Sequence, residues 1–158
     1  MRSVFSFCFL LLAISFLTGC ASTGSISSTD LAALRAQIAA EPPGNYFVGR
    51  RYYKHDYKFW GYVRSPGQPW TSAQLVMLNE QRKLAPDRAA WNIGSDNGYE
   101  YRLNGHFSGD TVYEPASNSF YPEFVLTDAT LITSTPLNIF NSPEALNPNK
   151  RVILKPSW

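Results

Sequence analysis

Cysteine and histidine are scarce in this chain, and their scarcity excludes several classes of site. The 158 residues hold only two cysteines, Cys8 and Cys20, and two histidines, His55 and His106. Both cysteines lie near the N-terminus, so no disulfide framework is expected in the rest of the chain. The chain contains no CxxC, HExxH, GxSxG or phosphate-loop motif. The sequence therefore predicts no metal site and no cofactor.

Charge is also low, at 16% of residues, whereas aromatic residues reach 15%. The 14 basic residues barely exceed the 12 acidic ones, which gives a net charge of +2. A nucleic-acid-binding protein of this size would be expected to carry a clear basic excess, so no nucleic-acid partner is predicted. High aromatic content favours a β-rich body that is stabilised by packing.

Long apolar runs are absent except at the N-terminus. Met1-Arg2-Ser3 provides a positive charge, and residues 4–17 are almost wholly apolar. A membrane-spanning helix needs roughly 20 apolar residues, so this segment is too short. Its length and charge are typical of a signal peptide. The segment closes with Leu17-Thr18-Gly19-Cys20, in which a small residue precedes a cysteine.

This ending resembles the lipobox of bacterial lipoproteins, and the resemblance covers residues 1–20 only. It implies that residues 1–19 are a signal peptide and that Cys20 receives a thioether-linked lipid and an acylated amine. Such chains would hold the protein on a membrane of the bacterial cell envelope. Ala21 stands where an aspartate marks inner-membrane retention in enterobacterial lipoproteins, so the resemblance favours the outer membrane.

Cleavage before Cys20 would leave 139 residues, which suits one domain. With Arg2 removed, 13 basic residues face 12 acidic ones. Residues 20–28 are predicted to be a flexible tether. A helix is predicted over 29–41, with Ser28 or Thr29 as its cap and a stop at Pro42-Pro43-Gly44. Its apolar stripe is Leu31, Leu34 and Ile38.

Residues 45–133 read as β-structure. Apolar runs at 75–78, 99–107 and 124–132 predict strands, Gly105 is expected to mark a bulge or bend, and Trp91 and Ile93 indicate a brief strand. About five strands with one short N-terminal helix resemble a small OB-like barrel; an SH3-like barrel or an open sheet with a helix are alternatives.

The tail, 134–158, contains four prolines and is expected to be irregular and to wrap the body, with Ile153, Leu154 and Trp158 as contacts.

The stretch after Arg51 alternates in character, which predicts two faces of a strand. Tyr53, Tyr57, Phe59 and Val63 are expected to face the core. The opposite, solvent-facing set is the candidate binding surface: Tyr52, Lys54, Lys58, Trp60, Tyr62 and Arg64. An unbroken strand is preferred, and a turn at His55-Asp56 is the alternative, which would reassign the faces.

The residue inventory gives little support to catalysis. His106, Ser108 and Asp110 share one predicted strand face, but side-by-side neighbours do not place a histidine between a serine and an acid. His55, Asp56 and His106 lack metal-ligand spacing. No catalytic residue is predicted, and the protein is not expected to be an enzyme.

The candidate binding surface leaves two functions open. Exposed aromatic and basic side chains can form the hot spot of a protein interface, which predicts a lipid-anchored, non-catalytic interaction module for another envelope protein. They can also stack on sugar rings, which predicts glycan or peptidoglycan binding. A third interpretation is that these residues pack as core beneath the tail.

Overall fold

The computed structural model describes residues 26–158. The predicted signal peptide at 1–19, the predicted lipidation site Cys20 and all but the end of the predicted tether at 20–28 lie outside the described residues. In the part that is described, no helix is long and apolar enough to cross a membrane.

The first element, α1, spans Ser28–Ala39. Its cap is Ser27, whose Oγ accepts a hydrogen bond from the Asp30 amide at 3.0 Å, so the predicted caps at Ser28 and Thr29 were one or two residues late. The helix already includes Ser28, so the predicted tether at 20–28 extends one residue too far. The expected apolar stripe docks on the body: Leu34 is buried, and Ile38 packs against the same core.

The body is a closed five-stranded barrel in the order β1-β2-β3-β5-β4. Its strands are β1 Phe47–Arg51, β2 Gly61–Arg64, β3 Gln74–Asn79, β4 Glu100–Glu114 and β5 Ser119–Thr133. Every neighbouring pair is antiparallel except β3 and β5, which are parallel. The protein is thus mainly β, with the small OB-like barrel predicted from the sequence. A short helix, α2 Pro86–Ala89, lies between β3 and β4.

The preferred unbroken strand through residues 52–64 was wrong, and the alternative turn at His55-Asp56 is present. β1 ends at Arg51, a loop follows, and β2 begins at Gly61. A side chain at Gly61 would collide with the Arg50 carbonyl and the Tyr52 amide, so the return strand needs glycine there. The predicted strand at Trp91 and Ile93 was also wrong, because these residues lie in turns after α2.

Two apolar cores hold the molecule together. The barrel interior is filled from several strands, with Val63, Val76, Leu103, Phe124 and Leu126 among its buried members. A second core lies outside the barrel, where α1 and residues 134–158 cover strands β1 and β2. As predicted, this tail forms no strand; it contains one 3₁₀ turn, Pro143–Leu146, and packs Ile153, Leu154 and Trp158 on the body.

Candidate binding surfaces

Five of the six residues of the candidate binding surface are buried, so the prediction that they face solvent was wrong. Their exposed fractions run from 0 to 4%, and only Lys58 is exposed: the buried residues are Tyr52, Lys54, Trp60, Tyr62 and Arg64. The physical reason is that these side chains are amphipathic. Each has an apolar body that packs, and the polar ends of all but Trp60 bind a partner within the protein.

Two of the tyrosines bind the main chain of the tail. The Tyr52 hydroxyl donates to the Val152 carbonyl at 3.2 Å and accepts from the Leu154 amide at 3.1 Å. The Tyr62 hydroxyl donates to the Leu154 carbonyl at 2.9 Å. Burial raises the pKa of both tyrosines, so both remain neutral donors. The aromatic face is therefore covered by the chain's own C-terminal segment.

Lys54 also binds the tail, at residues that precede Val152 in the chain. Its Nζ donates to the Glu144 carbonyl at 3.1 Å and to the Asn147 carbonyl at 2.8 Å, and it lies over the Tyr52 ring. The side chain is 1% exposed, and burial lowers its pKa. Lys54 is thus bound to the tail and is not free to contact a ligand.

Two arginines enclose Trp70 on the outer face of β1 and β2. Arg64 forms a two-pronged ion pair with Glu41, at 2.7 and 2.5 Å, and stacks 4.4 Å from the Trp70 ring. Arg50 stacks on the same ring and pairs with Glu100. Burial lowers the Arg50 pKa. Both cations stabilise the covered core and leave no open basic surface on these strands.

Trp60 packs inside the barrel, 6.2 Å from the Tyr101 ring and directly against Gly49. Trp60 precedes β2 and does not follow the alternation of that strand, so it packs in the barrel interior although Tyr62, two residues later, packs in the outer core. Lys58 lies in the same loop and lines a cleft of about 300 Å³ together with Arg88 and Ile93. Of the predicted set, only Lys58 is available to a partner.

A buried ionic network lies beneath that cleft. Arg51 Nη2 contacts Asp87 Oδ2 at 2.9 Å, and Arg51 Nε lies 3.3 Å from Asp96 Oδ1. Asp87 also accepts from the Gly94 amide at 2.9 Å, and Asp96 accepts from the Tyr101 hydroxyl at 3.0 Å. Desolvation raises the pKa of Asp96, and the nearby Asp87 carboxylate adds to the effect. The network fixes the loop from α2 to Gly94.

That loop presents an apolar surface that the sequence reasoning missed. Trp91 is 94% exposed, Ile93 64% and Leu84 45%, and together with Arg88 they line one hollow; we call these four residues the Trp91 surface. Trp91 has φ +55°, a left-handed conformation that is costly for a bulky residue. Pro86 followed by Asp87 is a helix-start signal that could have revealed the loop.

A second exposed surface lies on the hairpin of β4 and β5. Among the described residues, 104–122 pair only within this hairpin, because β1 pairs with β4 no further than Leu103 and β3 first meets β5 at Glu123. We call residues 104–122 the hairpin arm. Tyr113 and Phe120 are cross-strand partners in it, 47% and 67% exposed, with ring centroids 5.2 Å apart. Register shifts at Gly105 and after Phe107 bend the arm, as the glycine predicted.

The histidines form no predicted catalytic arrangement. His106, Ser108 and Asp110 are all exposed, and Ser108 Oγ accepts from the Asp110 amide at 3.1 Å. His55 Nδ1 lies 3.0 Å from the Tyr53 hydroxyl. No group of three or more histidine, cysteine or acidic side chains within residues 26–158 could hold a metal ion.

Comparison of the chain with protein-family models, curated proteins and solved structures finds no match. The lipobox-like sequence, the Trp91 surface and the hairpin arm are the features of this chain that bear on its function.

Proposed function

We propose that the chain is a lipid-anchored bacterial envelope lipoprotein whose barrel is a non-catalytic interaction module for another envelope protein. The anchor is Cys20, in the sequence Leu17-Thr18-Gly19-Cys20, and the outer membrane is the expected site. The observation that carries the interaction role is the exposed aromatic pair of the hairpin arm. Aromatic residues are enriched in the energetic centres of protein interfaces.

The arm is built to hold this pair in place. The Tyr113 hydroxyl donates to Asn118 Oδ1 at 2.8 Å, and the buried Glu114 carboxylate accepts from the Ser117 amide at 2.7 Å. Side chains that are already ordered lose less entropy on binding. The outer edge of β4 beyond Leu103 also pairs with no strand of the described chain, so its main-chain groups can accept an extended segment of a partner.

Site-specific photocross-linking in cells tests this proposal. A benzophenone amino acid at Phe120 is expected to trap one discrete envelope protein, and the same probe at Gln37, exposed on α1, is the matched control. The adduct should disappear when Tyr113 is changed to Ser in the same chain. Equal, diffuse labelling from both positions would refute the role of the arm.

Glycan binding is the second candidate, and it has to use other residues than those the sequence suggested. Tyr52, Trp60 and Tyr62 are covered, whereas Trp91 exposes 94% of its surface and can stack on a sugar ring. Retention on purified sacculi that is lost in Trp91→Ala, and kept in Tyr113→Ser, would favour the glycan function over the protein partner.

A further inference from the structure

The Trp91 surface differs from the hairpin arm in its charge. Arg88 lines the same hollow, Lys58 lines the adjoining cleft with Ile93, and the exposed Arg82 and Lys83 immediately precede Leu84 in the sequence. Arg88 pairs with Glu80 at 2.8 Å and Lys83 lies 3.7 Å from Asp128. Within residues 26–158, Lys58 and Arg82 have no carboxylate at ion-pair distance. These four cations face the carboxylates of Glu80 and Asp128. When the buried Arg51, Asp87 and Asp96 beneath the cleft are included, five cations face four carboxylates, so a small positive excess remains.

The apolar part has the composition of a membrane-interface anchor. Tryptophan prefers the boundary between acyl chains and headgroups, where its ring is buried and its N–H stays near water. Leu84 and Ile93 add aliphatic area beside it. The Trp91 backbone is fixed by hydrogen bonds from Trp91 N to the Arg88 carbonyl at 3.1 Å and from Asn92 N to the Asp87 carbonyl at 2.9 Å. The Trp91 ring is therefore exposed on an ordered backbone, in a position from which it can enter the interface of a bilayer.

We propose that the Trp91 surface docks on an anionic lipid bilayer. Its cations would bind the headgroup phosphates while its three apolar side chains enter the interfacial region. This inference rests on the proposed lipid anchor, because the anchor is what brings the body to the membrane. Residues 21–27 separate Cys20 from α1 and span at most about 25 Å, which keeps the body close to the surface. The second contact is then intramolecular, so a small surface suffices.

Tryptophan quenching in reconstituted vesicles tests the proposal on the full lipidated protein. Of the four tryptophans, Trp60 and Trp70 are buried and Trp158 is half-buried, so Trp91 dominates the accessible signal. Vesicles of brominated phosphatidylglycerol and of brominated phosphatidylcholine are compared. We expect quenching by the bromines, about twofold greater in phosphatidylglycerol, and loss of that component in Trp91→Asn. Arg82→Gln with Arg88→Gln should remove the difference between the two lipids.

Three outcomes would overturn the proposal. In the first, acrylamide quenches Trp91 in vesicles as strongly as it does in the Cys20→Ser protein in buffer without lipid or detergent. In the second, quenching is the same in both lipids. In the third, Trp91 is shielded only after an envelope extract is added, without bromine quenching, which identifies a protein occupant. If Cys20 carries no lipid and the protein fails to enter vesicles, the proposed anchor has failed instead, and the two failures are distinguishable.

Discussion

At the scale of single residues, Asp96 links the buried network to pH. Its pKa is raised because desolvation and the Asp87 carboxylate disfavour its charged form. The folded protein therefore holds this proton more tightly than the unfolded chain. The resulting stability is complete below the ordinary carboxyl pKa of 3.8 and is lost as pH rises through the raised pKa. Relative to Asp96→Asn, the wild-type free energy of unfolding should fall as pH increases above about 4.

Urea unfolding at several pH values checks this prediction. Asp56→Asn is the matched control, because Asp56 is exposed and its hydrogen bond from Arg151 lowers its pKa. That control should change the pH dependence only below the ordinary carboxyl range, and in the opposite direction. If Asp96→Asn and the wild type follow parallel curves from pH 4 to 7, the raised pKa is refuted.

Gly49 tests the packing of the barrel interior. A β-carbon there would lie 2.5 Å from Leu103 Cδ1 and 2.8 Å from the Trp60 ring, both inside the closed barrel. Gly49→Ala is expected to lower the free energy of unfolding by about 1–3 kcal/mol, since a packed core resists extra volume. Ala33→Ser on the exposed side of α1 should stay within about 0.5 kcal/mol. Equal stability of the two variants would contradict this packing.

Strand alternation alone does not determine whether the candidate binding surface is open to solvent or covered by another part of the chain. The residue types were informative, because tyrosine, lysine and arginine do make polar contacts here. Tyr52, Lys54 and Tyr62 bind carbonyls and amides of residues 90 or more positions further along the chain, such as Val152 and Leu154. Arg64 binds the carboxylate of Glu41, which precedes it by 23 positions. No local pattern encodes such a contact, so the sequence could not separate a ligand surface from a covered one.

At the scale of elements, the Tyr52 hydroxyl holds the tail on the body through hydrogen bonds to the tail's main chain. Tyr52→Phe removes the acceptor for the Leu154 amide. Hydrogen exchange at Leu154 should become about tenfold faster, and the free energy of unfolding should fall by about 1–2 kcal/mol. Tyr113→Phe, which loses an exposed hydroxyl, is the control. Unchanged protection at Leu154 in Tyr52→Phe would mean that the tail is held by its apolar contacts alone.

The Trp91 loop should be more stable without its tryptophan. Asparagine tolerates the left-handed conformation better than a bulky aromatic residue, so Trp91→Asn is expected to raise the free energy of unfolding by up to about 1 kcal/mol. Ile93→Asn, at an exposed position without positive φ, should change it by less than about 0.5 kcal/mol. Marked destabilisation by Trp91→Asn would mean that the ring supports the fold.

Elements with strong local signals were predictable, and those fixed by tertiary contacts were not. The apolar stripe of α1 and the bend at Gly105 follow from spacing and from glycine chemistry. The Trp91 loop was assigned as a strand because aromatic residues favour strands. The buried Arg51–Asp87 pair overrode that preference, since it holds the Gly94 amide and closes the turn.

At the scale of the molecule, the five strands and their OB-like closure were predicted. The outer face is covered by the tail, which agrees with the third interpretation of the candidate binding surface. OB-folds use the face of strands 2 and 3 to bind ligands. Here Tyr62 on β2 and Leu75 on β3 lie in the core that the tail covers. The exposed apolar surfaces described above lie instead on the hairpin arm and on the loop after α2. The proposed interactions use these two surfaces.

Metabolic labelling measures whether Cys20 carries the proposed lipid anchor. Cells expressing the wild-type chain and Cys20→Ser are fed labelled palmitate, and membranes are separated from soluble protein. We expect a labelled, membrane-bound wild type and an unlabelled Cys20→Ser protein whose barrel is no longer lipid-anchored. A wild-type chain that stays in the membrane fraction without incorporating palmitate would contradict it.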